Sequence, residues 1–273
     1  MRFFSALSCR LYPIFGLVVI LTLQACASRH LVIPSTAPYS IEAIDSILAH
    51  METQEKRVTT FFYTGKLTFK ARESELEAMV SIVGRRIPFE TRIELTHPWG
   101  APLAYLVMDT DHFKFLVFRD KRLYVGSTNQ MDLLRYFPFL PDPTAIWGFI
   151  RGYPVIAAYK RATSPEEGTI TLLDRQGEPI QRLDIDLKTR RPKTCFYPGK
   201  KLALFYGNFT KEGTIDFARS VELKSGKRKK TLTLHIRQAI FNASLPRGIF
   251  DLNRPEGFKV IDLSETGGSS DRR

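Results

Sequence analysis

The stretch SELEAMVSI, residues 74–82, carries an apolar side chain at every second position from Leu76 onward. A period of two is that of a β-strand with one buried face and one solvated face. The same alternation recurs at residues 66–70, 182–188 and 231–236. The sequence therefore predicts antiparallel strands over much of the chain.

Further apolar runs between turn residues add to these strands. They lie near residues 88–96, 101–109, 112–119, 122–126, 154–160, 168–174, 201–209 and 215–224. The total of about a dozen strands is more than an open flat sheet usually holds without curling. We therefore predict a mainly-β fold with a few helices, built as an antiparallel barrel or half-barrel.

Three segments have helical rather than strand periodicity. Ser40 is a candidate N-cap for an amphipathic helix over residues 41–56, whose apolar stripe needs a sheet to cover. Residues 131–137 and 143–150 are short, apolar and flanked by prolines, which predicts two lid-like helices. Just before them, residues 103–118 are apolar on both strand faces. This predicts a covered sheet, enclosing either a ligand cavity or an ordinary filled core.

The first 25 residues have the features of a secretory signal peptide. Arg2 and Arg10 precede the apolar run Ile14–Leu23, which is too short to span a bilayer. The run ends in Leu23-Gln24-Ala25-Cys26, which resembles a lipobox. We expect cleavage before Cys26, with a diacylglycerol and an N-acyl chain attached to Cys26. The alternatives are an uncleaved anchor and an ordinary signal peptide with an accidental cysteine.

The residue after the cysteine bears on location. In Gram-negative bacteria an Asp there favours retention in the inner membrane, whereas this chain has Ala27. We therefore predict a lipid anchor in the outer membrane, with the domain facing the periplasm. The predicted organisation is a signal peptide at 1–25, a lipidated flexible tether at 26–40, one domain at 41–263 and a disordered tail at 264–273.

The chain is basic, with a formal net charge of +12. Its basic clusters lie at residues 188–193, 200–201 and 227–230. In an exported protein such clusters meet anionic lipid headgroups rather than nucleic acid. Solvated hairpin tips that discourage edge pairing are the alternative.

The residues that would support catalysis or metal binding are scattered. The five histidines occur singly, and Cys195 is the one thiol expected in the mature domain, so no metal site and no disulfide framework are predicted. A buried Cys195 is the simpler interpretation. The sequence has no GxSxG elbow and no glycine-rich phosphate loop. The function classes that remain are binding, transfer and scaffolding, and we predict that the protein is not an enzyme.

The order of several segments resembles the outer-membrane lipoprotein receptor family LolB. They are IELTHPWG at 93–100, the hairpin at 118–122, the leucine-rich segment at 131–137 and AIWGFIRGYP at 145–154. The resemblance, which extends to the related LolA carriers, covers about residues 40–160 and implies a half-barrel closed by short helices over an apolar cavity. It further implies that acyl chains of other lipoproteins bind there, received from a LolA-like periplasmic carrier.

The resemblance also implies a membrane-insertion loop. The family has an Asn-Pro-Leu-Gly-like turn, and the matching residues here are His97-Pro98-Trp99-Gly100. Trp99 takes the place of leucine, and an indole suits the headgroup boundary of a bilayer. A Trp that packs back onto its own domain is the alternative. From their positions in apolar stretches alone, Phe115, Leu134 and Trp147 are candidates for the cavity wall.

The expected function is therefore to bind lipoprotein acyl chains and to help insert them into the outer membrane. The expected partners are membrane lipids, lipoprotein acyl chains and a LolA-like carrier, with no nucleic acid. Two alternatives remain: a lipoprotein that carries another hydrophobic ligand, and a structural or assembly lipoprotein of an envelope complex.

Overall fold

The computed structural model describes residues 38–71, 74–128, 143–225 and 230–263. Several predicted features lie outside the described residues. They are the signal peptide, Cys26 and the tether up to residue 37, the helix at 131–137 with Leu134, and the tail at 264–273.

The described residues form one 14-stranded sheet and two α-helices. The helices are α1 (Ile41–Lys56) and α2 (Pro143–Arg151). The strands are β1 (Thr60–Ala71), β2 (Ser74–Arg85), β3 (Glu90–Thr96), β4 (Pro102–Asp109), β5 (His112–Val117), β6 (Arg122–Ser127), β7 (Arg161–Thr163), β8 (Thr169–Leu173), β9 (Pro179–Ile185), β10 (Pro192–Tyr197), β11 (Leu202–Glu212), β12 (Ile215–Ser225), β13 (Lys230–Phe241) and β14 (Lys259–Asp262).

The sheet is open. Its order is β14-β6-β5-β4-β3-β2-β1-β13-β12-β11-β10-β9-β8-β7, and the edge strands β14 and β7 do not pair with each other in the described residues. All neighbours are antiparallel except β14, which runs parallel to β6. The predicted mainly-β fold, an incomplete antiparallel barrel with few helices, is confirmed.

Antiparallel pairing gives the sheet two distinct ends. The β2–β3, β9–β10 and β11–β12 turns lie at one end, where Glu55 of α1 contacts Arg86 and Arg57 donates to the Thr214 carbonyl. We call this the helix end. The β3–β4, β5–β6 and β10–β11 turns lie at the other end. We call this the Trp99 end, because the β3–β4 turn contains Trp99.

Helix α1 begins and ends as the sequence predicts. Ser40 has an extended backbone and its hydroxyl accepts a hydrogen bond from the Ala43 amide, which satisfies one free donor of the first turn. The apolar stripe, including Ile44, Leu48 and Met51, is buried in the core. Helix α1 thus packs its stripe on the face of the sheet that carries the main core, which we call the inner face.

The opposite, outer face is covered beside β4–β6 by the segment between β13 and β14. Leu252 of this segment packs with Leu116 and Leu123 in a second apolar cluster. Arg92 fixes the segment by donating to the Ile249 and Asp251 carbonyls at 3.1 and 2.9 Å. Residues 103–118 are apolar on both strand faces because both faces of this part of the sheet are covered.

One predicted strand is wrong. Residues 154–159 are in no strand, and β7 begins only at Arg161. The backbone of this segment is satisfied by a side chain instead of a neighbouring strand. The Ala157 amide donates to Gln181 Oε1 at 2.9 Å, and Gln181 Nε2 donates to the Val155 carbonyl at 2.7 Å. The apolar run therefore packs against the main core of the inner face without joining the ladder.

Candidate functional site

The inner face is apolar along its central strands because the alternation of β1, β2 and β13 is in register. Leu67 of β1 lies opposite Ala78 of β2 on one side and Leu234 of β13 on the other, and all three are buried. The neighbouring Lys66 and Glu77 point to the outer face, where they form an ion pair of 2.8 Å. The same register that sets the sheet thus separates an apolar face from a charged one.

At the helix end this apolar face is filled by side chains. Trp147 of α2 is only 4% exposed, and its ring centroid lies 5.2 Å from that of Phe61 and 5.9 Å from that of Phe89. Gly84 makes this packing possible, because a Cβ there would come within 2.4 Å of the Phe61 ring. Helix α2 therefore closes the helix end by direct contact with the sheet.

Arg151, the last residue of α2, anchors this closure. Its guanidinium is fully buried and donates to the Asp216 and Gln54 carbonyls, both at 2.9 Å. Its own carbonyl accepts a hydrogen bond of 3.1 Å from the Tyr63 hydroxyl. Burial lowers the pKa of Arg151 and raises the pKa of Tyr63. Carbonyl oxygens and the Tyr153 ring, 4.8 Å from the guanidinium carbon, surround the cation, so the network joins α1, α2 and β12.

The Trp99 end is different, because apolar side chains of the inner face remain accessible there. Leu76 is the next inward position of β2 after Ala78, yet it is 62% exposed. Its partner in β1 is Phe69, which is half-buried, and Leu95 of β3 is half-buried against the same core. We call Phe69, Leu76 and Leu95 the mouth of the inner face. The mouth is therefore an apolar surface that is accessible to solvent at Leu76.

The β3–β4 turn projects beside the mouth. The His97 amide donates to the Ala101 carbonyl and the Gly100 amide donates to the His97 carbonyl, both at 2.7 Å. Gly100 has a φ of 88°, a left-handed conformation that favours glycine. Trp99 at the tip is 85% exposed and has the His97 ring centroid at 5.1 Å. The structure therefore places a large aromatic side chain in solvent on a closed turn.

The residues predicted for the site fall into three groups. Trp99, Pro98 and Gly100 are all exposed on this turn. Phe115 and Trp147 both belong to the main core of the inner face, but they lie in packed interior and not at the mouth. Leu134 and Cys26 lie outside the described residues. The roles of these residues in lipid binding, membrane insertion and lipidation stay predictions.

Sequence reasoning missed the mouth itself. Leu76 and Phe69 were interpreted only as members of alternating strands. The available signal is that both occupy inward positions at the strand ends nearest the hairpin between β1 and β2. An apolar residue at a strand end is common, so this signal becomes specific only when the exposure is known.

A separate groove lies at the opposite end of the described structure. This groove of about 750 Å³ lies at the helix end between α1 and the turns beside it, lined by residues such as His50, Arg190, Lys211 and Asp216. Its lining mixes charged with apolar side chains, unlike the wholly apolar cavity that was predicted. Among the described residues, no cluster of three His, Cys, Asp or Glu side chains could hold a metal ion, and neither helix is long and apolar enough to cross a membrane.

Cys195 is buried, as predicted, in the middle of β10. Gln181 Nε2 lies 3.0 Å from its sulfur, and burial raises the pKa of the thiol to about 11. A thiol in this environment stays protonated at neutral pH. Its geometry is that of a packed core residue rather than a nucleophile.

These features define an open antiparallel half-barrel with an apolar inner face, closed by helices at one end. No family model and no curated protein matches the sequence. Among solved structures, the fold is similar to a DUF1329 family protein from Desulfovibrio piger, with a TM-score of 0.55, 8% identity and coverage of 77% of this chain and 97% of that chain.

Two further structures are more distantly similar. A putative outer membrane lipoprotein-sorting protein domain from Vibrio parahaemolyticus has a TM-score of 0.47 and 10% identity, covering 76% of this chain and 95% of that chain. A LolA superfamily protein from Nitrosomonas europaea has a TM-score of 0.47 and 13% identity, covering 76% of this chain and 97% of that chain. At identities this low the similarity concerns the fold alone, and none of the three structures is described as a LolB receptor. The resemblance to the LolB receptor in particular stays a prediction.

Proposed function

We propose that this protein is a lipid-binding lipoprotein of the LolA and LolB kind, anchored in the outer membrane through Cys26. It receives the acyl chains of other lipoproteins from a periplasmic carrier, holds them against its inner face and helps to insert them into the membrane. The chains enter at the mouth, and Trp99 enters the bilayer at the point of release.

One observation carries this proposal: the inner face is packed shut at the helix end and accessible at the Trp99 end. An exposed leucine beside two half-buried apolar side chains is a surface that an alkyl chain can cover. The exposed indole of the β3–β4 turn projects from the same end of the sheet. Binding and membrane contact therefore take place at neighbouring parts of the molecule.

The energetics support a need for such a surface. Exposing one acyl chain of about 16 carbons to water costs on the order of 12 kcal/mol, at about 0.8 kcal/mol per methylene. Covering the chain with apolar side chains removes much of this cost. Transfer then needs no catalytic residue, because the chain moves from a weaker to a stronger site along carrier, receptor and bilayer.

The mouth can be tested with a matched pair of substitutions. Leu76→Asp places a charge at the mouth, whereas Ile240→Asp places the same charge on the outer face, where Ile240 is 52% exposed. Both sites are accessible, so we expect both variants to fold. We expect Leu76→Asp to weaken binding of a fluorescent lipopeptide about tenfold or more, and Ile240→Asp to leave it unchanged.

Mass spectrometry of ligand extracted from the purified full chain identifies the cargo. Lipoprotein or lipopeptide acyl chains support the proposal. Recovery of phospholipid, glycolipid or another hydrophobic molecule alone would replace lipoprotein delivery with transport of that ligand. Equal effects of the two Asp substitutions, with no extracted ligand, would leave the inner face a structural core and favour an assembly role.

A further inference from the structure

The β5–β6 turn is the neighbour of the Trp99 turn at the same end of the sheet. Strands β3, β4, β5 and β6 are consecutive in the sheet, so the two turns are about 10 Å apart at two strand spacings. They also lie at the same height along the strands, because the Phe118 amide donates to the Leu103 carbonyl at 3.1 Å. Whatever surface Trp99 touches is therefore within reach of the β5–β6 turn.

The β5–β6 turn and the strand beside it are rich in cations. Arg119 and Lys121 are exposed in the turn, and neither forms an ion pair with another described residue. Arg122 begins β6 directly opposite Lys259 of β14, which is exposed. The Lys259 amide donates to the Lys121 carbonyl at 2.9 Å, which holds the two segments together.

Three acids lie within three residues of these four cations in the chain. Asp120 is in the turn itself, Glu256 is exposed three residues before Lys259, and Asp262 is half-buried three residues after it. The cluster therefore keeps an excess of positive charge. Three of its members lie within residues 119–122, and the fourth, Lys259, comes from a segment more than 130 residues later in the chain.

The other basic runs of the sequence lie elsewhere. The turn with Lys188 and Arg190 is at the helix end, where Lys193 is paired with Asp186 at 3.1 Å. Lys201 is at the Trp99 end, but the β10–β11 turn is many strands away from β3 in the sheet order. Residues 227–229 lie outside the described residues. Among the described basic groups of the turns, those of the β5–β6 turn are the ones next to Trp99.

We infer that Arg119, Lys121, Arg122 and Lys259 form a headgroup-binding surface for anionic phospholipid, which docks on the bilayer as Trp99 enters it. An indole favours the headgroup boundary, and cations beside it gain attraction from an anionic surface. The inference rests on the proposed function, since it names the lipid that the release point recognises. The cations lie at the turn next to that of the exposed Trp99, and their positive charge is complementary to an anionic bilayer. This observation selects a membrane as the occupant.

Trp99 itself provides the assay. The chain has two tryptophans, and Trp147 is buried, so the difference between the full chain and its Trp99→Phe variant isolates the emission of Trp99. The full chain is incorporated into vesicles of brominated phosphatidylcholine, with or without phosphatidylglycerol. Quenching of Trp99 by the brominated chains measures the docked fraction. We expect phosphatidylglycerol to increase the docked fraction and salt to reverse the increase.

A double charge reversal tests the cations. We expect Arg119→Glu with Lys121→Glu to lower the docked-to-undocked ratio about tenfold or more in phosphatidylglycerol vesicles. The matched control is Lys188→Glu with Lys211→Glu, which makes the same change of charge on exposed lysines at the helix end. We expect the control to dock within about twofold of the unmodified chain. Its exposed charges are at the helix end, more than a Debye length from a bilayer that the Trp99 end contacts, so they are screened.

The outcomes separate this inference from the proposed function. Quenching of Trp99 that is equal with and without phosphatidylglycerol, and equal in both double variants, overturns the headgroup surface but keeps membrane insertion. The absence of quenching in every vesicle overturns membrane insertion by Trp99 as well. Equal losses in the two double variants would show a general effect of net charge, which also contradicts a local surface.

Discussion

The two ends of the sheet are built from the same alternating strands but are covered differently. At the helix end, α1 and α2 press onto the inner face, and Trp147 is 4% exposed among aromatic rings. At the Trp99 end, Leu76 remains 62% exposed and Trp99 is 85% exposed. Strand periodicity specifies which side chains point inward. It does not specify which of them are covered, and that difference separates a core from a binding surface.

The polar groups follow the same division. Arg151 at the helix end is enclosed by backbone carbonyls of two elements, which is a structural use of a cation. Arg119 and Lys121 at the Trp99 end face solvent without an ion pair to another described residue. Cations of the first kind stabilise the fold, whereas cations of the second kind are available to a partner.

The largest expected effect is the difference in stability between substitutions of the two tryptophans. Trp147→Ala removes a buried indole and leaves a cavity beside Phe61, so we expect the free energy of unfolding to fall by about 3–5 kcal/mol. Trp99→Ala removes an exposed side chain and should change it by less than about 0.5 kcal/mol. Urea denaturation of both variants measures this difference. Similar losses for the two would mean that the ends are packed alike.

Thiol alkylation extends the comparison to the middle of the sheet. The pKa of Cys195 is raised from 9.0 to about 11 by burial, so at pH 8 the fraction of thiolate is about 100-fold below that of an unshifted thiol. We expect iodoacetamide to modify Cys195 at least that much more slowly in the folded chain than in urea. A cysteine introduced by Trp99→Cys should react at a similar rate in both conditions. Fast modification of Cys195 in the folded chain would show that this region opens.

Trp99→Glu tests whether the exposed turn acts separately from the fold. We expect insertion into vesicles to fall about tenfold or more, because a carboxylate replaces the indole at the bilayer boundary. Lipopeptide binding and the free energy of unfolding should stay nearly unchanged. Vesicle flotation, ligand fluorescence and urea denaturation report the three quantities. A parallel loss of ligand binding would make Trp99 part of the inner face.

The smallest expected effect concerns the start of α1. Ser40→Ala removes the hydroxyl that accepts from the Ala43 amide, so we expect a loss of about 0.5–1 kcal/mol in the free energy of unfolding. Ser40→Asp keeps an acceptor at this position and serves as the control. Urea denaturation measures both. Membrane docking by the Trp99 end should be the same in both variants, and a change in docking would couple the two ends.

The sequence correctly predicts those helices and strands whose formation depends on residues close together in the chain. Helix α1 has the predicted bounds because its cap and its apolar stripe lie within one segment. Strands β1 and β2 follow from alternation, and β3 to β6 from apolar runs between turn residues, for the same reason. The apolar run at 154–160 misled the prediction, because its backbone partner is the side chain of Gln181 on another strand. No pattern in the run itself reveals that partner.

The candidate site was predicted in part. The resemblance at residues 97–100 identified Trp99, and the structure shows that its side chain is exposed. The mouth was missed because alternation does not show which inward side chains stay uncovered, and the cationic surface was missed because Lys259 is far from residues 119–122 in the sequence. Lys259 meets the β5–β6 turn only because β14 returns to pair with β6 after the outer face has been crossed. Such contacts are set by topology rather than by composition.

The central claim is that acyl chains lie against the inner face and enter at the mouth. The most direct measurement is photo-crosslinking of the full chain to a lipopeptide that carries a diazirine on its acyl chain, with the modified residues mapped by mass spectrometry. The account predicts cross-links at Phe69, Leu76 and Leu95. Cross-links confined to outer-face residues such as Ile240 would contradict it. So would cross-linking by the acyl-chain diazirine that does not exceed that of a control lipopeptide with the diazirine on its peptide part.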